Sequence, residues 1–331
     1  MPPNRENDSD RDNDSNRDND SDTLHVTPQS NVAQPEDELF EQNWQPLKSL
    51  RNKHATNLII GFLNINSVRN KYLNLCDIFS QGLVDCFSVI ESKLDDSFPD
   101  AQFTPSGFSL LRQDYSDTSG GIMTFTRSDI PHSRRLDIEI NNENIQSLCL
   151  ELLINKEKWI INSVYRLPSA DPQQFWSCMH KMADNMLANS STIILMGDVN
   201  INALCESKAK QINDFTESFS LSQAIRSPTC RKGTPSLIDH LYTNRPKRLS
   251  SVLNFDCGLS DYHNVIAVST KISFPKRPPV VKYYRSFKKF DEKAFLSDIQ
   301  NAPFWIFKML PFKWWIYLPI LMMPIGLLTI F

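Results

Sequence analysis

The chain has 331 residues, of which 40 % are hydrophobic and 22 % charged, with a formal net charge of −3. That length leaves room for one large domain with tails or two modest ones, and the apolar fraction suffices for a packed core. Seven cysteines, odd in number and without a C-x-x-C pair, argue against a disulfide framework or a thiolate zinc site and for reduced thiols inside a cell. The net charge is unevenly spread. Residues 1–40 carry three Arg and eleven Asp or Glu, a balance of −8, which leaves +5 on the rest. A mildly basic body permits a nucleic-acid partner without demanding one.

Residues 5–22 read RENDSD, RDNDSN, RDNDSD, a polar six-residue repeat with no apolar side chain. Such a stretch cannot offset the entropy of ordering, so disorder is expected to about residue 40, within an acidic tail over residues 1–50. Its D-x-D spacings lack the Gly turn and terminal Glu of a calcium loop. The first apolar run begins only after residue 56, so no signal peptide is expected.

From residue 57 strand-length apolar runs recur: NLIIGFL (57–63), DCFSVI (85–90), GIMTF (121–125), SLCLELL (147–153), WIINSVY (159–165), TIILM (192–196), SLIDHLY (236–242) and NVIAVS (264–269). Their β-branched and aromatic content predicts strands. Helices are predicted where apolar residues repeat on one face: Tyr72, Leu75, Cys76 and Phe79, then Phe175, Met179, Met182 and Met186, then Ile212, Phe215 and Phe219. The second begins well, with Asp171 as N-cap, Pro172 at the first position and Gln174 at the third. Its Met stripe reads as core. Many strands with few helices imply a layered α+β domain over residues 55–272, two sheets face to face with helices outside.

Residues 273–302 follow as a basic linker. Within it PKRPPVVKYYRSFKKFDEK (275–293) mixes Pro, seven Lys or Arg and four aromatics. It reads equally as a solvated linker and as a segment that pairs phosphates and stacks bases. Residues 303–331 form an apolar tail. Its uncharged run over 314–331, flanked by Lys308 and Lys313, is 18 residues long, near the ~20 that span a bilayer. Pro319 and Pro324 oppose a straight helix, and both membrane contact and packing on a core or partner remain open for this segment.

Glycine is scarce, nine in all, so Gly197 before Asp198-Val199-Asn200 is informative. A buried strand that ends in Gly-Asp-x-Asn sets a carboxylate beside an amide at the sheet mouth, able to hold a water or a metal. The arrangement recurs. Asn64 and Asn66 end the first strand, Glu91 ends the second, Asp239 interrupts SLIDHLY, where a charge must be paired, and Asp261 lies before the last strand with His263 two residues on. Oxygen donors of this kind suit Mg²⁺, or Mn²⁺, rather than zinc. No organic cofactor is expected.

In order, L-N-I-N-S, I-E-S-K-L, G-G-I, V-Y-R-L-P, G-D-V-N, S-L-I-D-H and L-S-D-Y-H resemble the endonuclease/exonuclease/phosphatase superfamily. The closest likeness is to the endonuclease domain of non-LTR (LINE-type) retrotransposons. The resemblance covers about residues 57–272. It implies a four-layer α/β sandwich, two mixed sheets flanked by helices, and magnesium-dependent hydrolysis of a DNA phosphodiester. Carried over by motif, it makes Glu91 the principal metal ligand, with Asn64 near the metal and phosphate and Asp261 on the metal side. It assigns Asp198 to the attacking water, Asn200 to orienting that water, Tyr165 to the scissile phosphate and Asp239 to orienting the catalytic His. Asn66, Thr229 and Arg166 become substrate contacts.

The pattern departs from the family at one point. The usual ending is Ser-Asp-His, and this chain has Ser260-Asp261-Tyr262-His263. Adjacent residues on a strand face opposite sides, so either a bulge brings His263 to the phosphate or Tyr262 holds the place and the site lacks its His. His263 is the preferred reading, and His240 beside Asp239 a weaker substitute. The resemblance also implies a reverse transcriptase downstream, which this chain lacks, so it reads as a truncated or rearranged copy. An intracellular protein is expected, nuclear if it acts on chromosomal DNA. The rival readings are a DNA-binding remnant with a weakened site, and a phosphatase of the same fold acting on inositol phosphates or lipids.

Overall fold

A computed structural model describes residues 42–273 and 291–301. In chain order the elements are α1 (Gln45–Lys53), β1 (Asn57–Asn64), α2 (Tyr72–Ser80), β2 (Cys86–Ile90), β3 (Phe108–Gln113), β4 (Ile122–Arg127), β5 (His132–Arg134), β6 (Ile145–Ile154) and β7 (Glu157–Arg166). They continue with α3 (Pro172–Asn189), β8 (Thr192–Asp198), α4 (Glu206–Ser218), β9 (Ser222–Gln223), β10 (Asp239–Thr243), β11 (Leu249–Phe255), β12 (Val265–Ser273) and α5 (Glu292–Asn301). Each of the eight apolar runs contributes a strand, and each predicted amphipathic stripe lies on a helix or reaches its C-terminal cap.

The strands make two six-stranded mixed sheets, ordered β11-β12-β1-β2-β4-β3 and β5-β6-β7-β8-β10-β9. Alternation along each strand sorts side chains into layers. Ile60 and Phe62 of β1 join Leu148, Ile161, Ile194 and Met196 of the second sheet in the core between the sheets. Ile59 and Leu63 turn the other way, onto Leu75, Ile78 and Phe79 of α2 and Leu47 and Leu50 of α1. On the far side, Phe175, Met179, Met182 and Met186 of α3 and Phe215 of α4 cover Ile160, Val164, Ile193 and Leu195. The Met stripe is core. The result is the expected four-layer α/β sandwich. Inside it the Ser163 hydroxyl donates to Ser88 Oγ at 2.7 Å, and Ser88 lies 3.0 Å from Thr124 Oγ1, so a satisfied polar chain joins the sheets within the apolar layer.

Strand polarity places the site. β1 and β2 run parallel, as do β7 and β8, and Asn64 at the end of β1 bonds Asp198 at the end of β8, so all four finish at one edge of the sandwich. β10 and β12 pair antiparallel with β8 and β1 and therefore begin there.

The N-terminal tail is shorter than its expected end at residue 50. Helix α1 starts at Gln45 with Pro46 in its first turn and buries Leu47 and Leu50, while Trp44 just before it is buried as well. Buried Asp85 fixes this helix. Its carboxylate accepts from Arg51 at 2.6 Å, from Arg127 at 2.9 Å and from the Ile59 N–H at 2.8 Å. The expected linker over 273–302 likewise contains α5, capped by Asp291, whose Oδ1 accepts from the Lys293 and Ala294 N–H groups at 3.0 Å. The apolar run over 314–331 lies outside the described residues. Among the described residues no helix is long and apolar enough to cross a membrane.

Removing one partner of a buried ion group leaves the others charged and unpaired, which costs about 3–5 kcal/mol. Asp85→Ala should therefore lower unfolding free energy by about 3 kcal/mol or more in urea titrations. Asp129→Ala, which removes a partner of Arg127 that is 51 % exposed, should cost under about 1 kcal/mol.

Candidate functional site

The ends of β1, β2 and β8 carry unusual backbone. Asn66, Ser67, Glu91, Lys93 and Asn200 all have positive φ, between 50° and 83°. Asn tolerates this region, whereas Glu and Lys are strained there and need surrounding structure to hold them. That structure is a set of loop hydrogen bonds: Ser67 N–H to the Glu91 carbonyl at 2.8 Å, Ser92 N–H to Gly121 at 3.1 Å and Lys93 N–H to Gly120 at 2.9 Å. Gly121, at φ 88°, stacks so closely that a Cβ would lie 2.4 Å from Ser92 Oγ. At Gly197, φ 144°, a Cβ would lie 1.9 Å from the Val164 carbonyl oxygen. Only glycine there lets β8 press on β7 and deliver Asp198 beside Tyr165, its partner in register.

The side chains converge at this edge. The Asn64 amide donates to Glu91 Oε1 and to Asp198 Oδ2, both at 2.8 Å, and so joins the ends of β1, β2 and β8 across the two sheets. Asp198 also accepts from the Asn200 N–H at 2.9 Å. The Tyr165 phenol lies close enough to Glu91 and Asp198 to feel both charges. Asp239 is fully buried beside Asp198 in register, and both its carboxylate oxygens meet His263 Nδ1, at 3.0 and 3.2 Å. At the rim, Asn66 donates from its backbone to Asn64 Oδ1 at 3.1 Å and from its amide to Asp261 Oδ2 at 3.0 Å. Asp261 itself is 55 % exposed.

The charges interact strongly. Burial, followed by repulsion from Asp239, pushes the Asp198 carboxyl up to about 7, against the opposing pull of His263 and the Asn64 amide. Burial alone would lower His263, but its hydrogen bond and ion pair with Asp239, with Asp198 and Glu91 behind, carry it up to about 9. Burial and the nearby Glu91 and Asp198 raise the Tyr165 phenol above its usual range, so it stays a neutral donor.

His263 and Tyr262 take opposite roles. The turn is closed by the His263 N–H on Ser260 Oγ at 3.2 Å and the Asn264 N–H on the Thr229 carbonyl at 2.8 Å. It aims His263 inward and leaves Tyr262 in solvent. His240 is no substitute. It is buried, pushed down to about 4 by burial, and held by Tyr242 and the Ile201 and Leu237 carbonyls.

Two expected substrate contacts, Thr229 and Arg166, have buried side chains. Thr229 is 0 % exposed, and its hydroxyl accepts from the Ile238 and Asp239 N–H groups at 3.2 and 3.0 Å. It anchors the start of β10, and so the backbone under Asp239. Arg166 is 7 % exposed, donates to the Ala170 carbonyl and lies over the Phe175 ring at 5.7 Å. Its guanidinium braces the loop after β7, while its carbonyl accepts the Asn200 amide at 2.8 Å. Conversely, Lys93 and Lys71 were not among the expected site residues. Lys93 reaches Asn66 Oδ1 and lies 3.7 Å from Glu91 Oε2. Lys71 lies 3.8 Å from Asp261 and donates to the Ile65 carbonyl at 2.8 Å. The Lys two places after Glu91 in I-E-S-K-L was the available signal.

The donor set suits a hard divalent cation, since Glu91, Asp261 and the amides of Asn64 and Asn66 offer only oxygen. Among the described residues, however, the tight His/Asp group is Asp198, Asp239 and His263, whose ligand atoms lie within 4.8 Å of one another. The expected ligands Glu91 and Asp261 are joined to each other through Asn64 and Asn66 rather than packed together. The Asp198 carboxyl, buried against Asp239 and pushed toward protonation, marks a place short of positive charge, which a cation at Glu91 would relieve.

No curated protein matches this chain. Among solved structures, the endonuclease domain of TRAS1, a telomere-specific non-LTR retrotransposon, superposes with a TM-score of 0.53 at 11 % identity, over 65 % of this chain and 98 % of that one. The 3'-5' exonuclease NExo from Neisseria meningitidis gives 0.51 at 15 %, over 64 % and 99 %. An AP endonuclease from Archaeoglobus fulgidus gives 0.50 at 14 %, over 65 % and 100 %. These likenesses establish the sandwich. The family model "Endonuclease/Exonuclease/phosphatase family" matches residues 61–261, more than half of the chain, from the second half of β1 through β2, β7, β8 and β10. On that match the chain belongs to the endonuclease/exonuclease/phosphatase family, whose members hydrolyse phosphodiester bonds and generally depend on a divalent metal.

Proposed function

We propose that the domain is a magnesium-dependent endonuclease that nicks DNA, in the manner of a non-LTR retrotransposon endonuclease. The carrying observation is the pair of Asp239 and His263 beside Asp198, with Asn64 linking that group to Glu91. A base, a charged donor and a cation-holding carboxylate within one small volume are what attack of water on a phosphodiester requires. The DNA-processing relatives of the same fold favour DNA over a lipid or inositol phosphate.

In this reading the Asp198 carboxylate takes the proton of the attacking water, and its raised proton affinity suits a base working near neutrality. Asn200 holds the loop that presents that water. His263, kept cationic by Asp239, and Tyr165, kept neutral by burial, donate to the phosphate oxygens where negative charge grows. Asn66 lies where it can meet the substrate at the rim. Glu91, with Asn64 and Asp261, would hold a divalent cation, which would supply charge neutralisation on the phosphate. A protein acting on chromosomal DNA in this way would work in the nucleus.

The assay is relaxation of supercoiled plasmid by the full chain with Mg²⁺. Wild type should nick, and Glu91→Ala should lose at least about 100-fold in rate. Wild-type activity no greater than that of Glu91→Ala would instead identify a DNA-binding remnant. His263→Ala should abolish nicking while Tyr262→Phe keeps most of it, and the reverse would place the tyrosine in the catalytic position. The rate should rise with pH through about 7 as Asp198 loses its proton and fall above about 9 as His263 loses its charge. Asp239→Asn removes the anion that raises His263 but leaves the burial that lowers it, so the alkaline limb should move to lower pH in the measured pH–rate profile.

A further inference from the structure

Tyr262 stands between two site residues, Asp261 and His263, yet serves neither the core nor the catalytic cluster. Successive Cα atoms are about 3.8 Å apart, so its backbone adjoins that of His263 while its ring stands in solvent. It is 42 % exposed, a large apolar surface left in water at the mouth of a polar site. Its backbone is nonetheless fixed, because its carbonyl accepts the Arg231 N–H at 2.8 Å and the next residue is clamped by Ser260 Oγ and bridged to Cys230. Lys232 places its ammonium over one ring face, 5.4 Å from the centroid, and among the described residues no carboxylate lies within ion-pair distance of it. Arg231 is different, being engaged by Asp256 at 3.1 Å and by Asn264 at 2.5 Å. A half-exposed aromatic on a fixed backbone, with a cation beside it, combines the two features that grip unstacked nucleic acid, a stacking surface and a phosphate partner.

We propose that Tyr262 and Lys232 form a stacking platform for a nucleobase out of the helical stack beside the scissile phosphate, an inference that rests on the endonuclease reading. A base inside an intact duplex has both faces covered by its neighbours, so the platform selects a frayed, mismatched or otherwise distorted junction at the cut. Lys232 then either caps the far face of Tyr262 or moves to the flanking phosphate.

The test uses the full chain and oligonucleotide duplexes carrying the preferred nick site, with the adjacent nucleotide paired, unpaired as 2-aminopurine, or replaced by a baseless unit. Nicking kinetics and 2-aminopurine fluorescence are read separately, the latter without divalent cation. Wild type should favour the unpaired base and quench its fluorescence. Tyr262→Ala should raise KM for that substrate about tenfold, more than it changes kcat, and lose the quench, while Tyr262→Trp restores both. On the baseless substrate wild type and Tyr262→Ala should converge. Normal nicking with KM and quenching unchanged in Tyr262→Ala would overturn the platform alone and reduce the Lys232 contact to local surface packing. Quenching by wild type without nicking would uphold the platform and refute the endonuclease reading. Failure of wild type to bind DNA at all would refute both.

Discussion

One side-chain amide connects the two halves of this domain at its working edge. Asn64 belongs to the first sheet, Asp198 to the second, and a single Nδ2 group donates to Asp198 and to Glu91 at 2.8 Å each. Both donations need β1 and β8 to end at the same height, and the parallel pairs, β1 with β2 and β7 with β8, bring Glu91 and Tyr165 to that height with them. Close approach of β8 to β7 requires Gly197, and left-handed backbone at Glu91 and Asn200 then turns the chain so that their side chains stay at the edge. Strain of this kind, about 1–3 kcal/mol per residue, is tolerable because the loop hydrogen bonds to Gly120 and Gly121 over-determine the geometry.

Electrostatics follows from that placement. Asp198 and Asp239 are adjacent across β8 and β10 because their register makes them so, and neither can be diluted by water. Burial, and after it repulsion from Asp239, raises the proton affinity of Asp198, and the hydrogen bond and charge of Asp239 hold His263 charged against its own burial. A carboxylate ready to accept a proton and an imidazolium ready to donate hydrogen bonds are thus two consequences of one crowded pair. Lys93 against Glu91 and Lys71 against Asp261 balance the outer carboxylates at the rim.

Much of this was legible in the sequence because buried strands write themselves as continuous apolar runs, and polar residues that end such runs have to be doing something. That logic reached Asn64, Glu91, Asp198, Asp239 and His263, which converge. It passed over β3, β5, β9 and β11, which lie at or near sheet edges and carry half-exposed, mixed side chains with no continuous run. It passed over α1 for a similar reason, since Trp44, Leu47 and Leu50 are three apolar residues in a polar stretch. Thr229 and Arg166 had the right chemistry for a phosphate contact. The path of the backbone, which no pattern reports, turned both inward. The choice between Tyr262 and His263 was of the same kind, decided by a turn that Ser260 closes.

The central claim is that water, deprotonated at Asp198, attacks phosphorus in DNA. Isotope transfer measures this directly. Supercoiled DNA nicked by the full chain with Mg²⁺ in ¹⁸O-enriched water should carry one ¹⁸O atom on the phosphate at each break, with Asp198→Asn producing essentially no labelled ends. Breaks without ¹⁸O on phosphate, or labelled breaks made equally well by Asp198→Asn, would contradict the account.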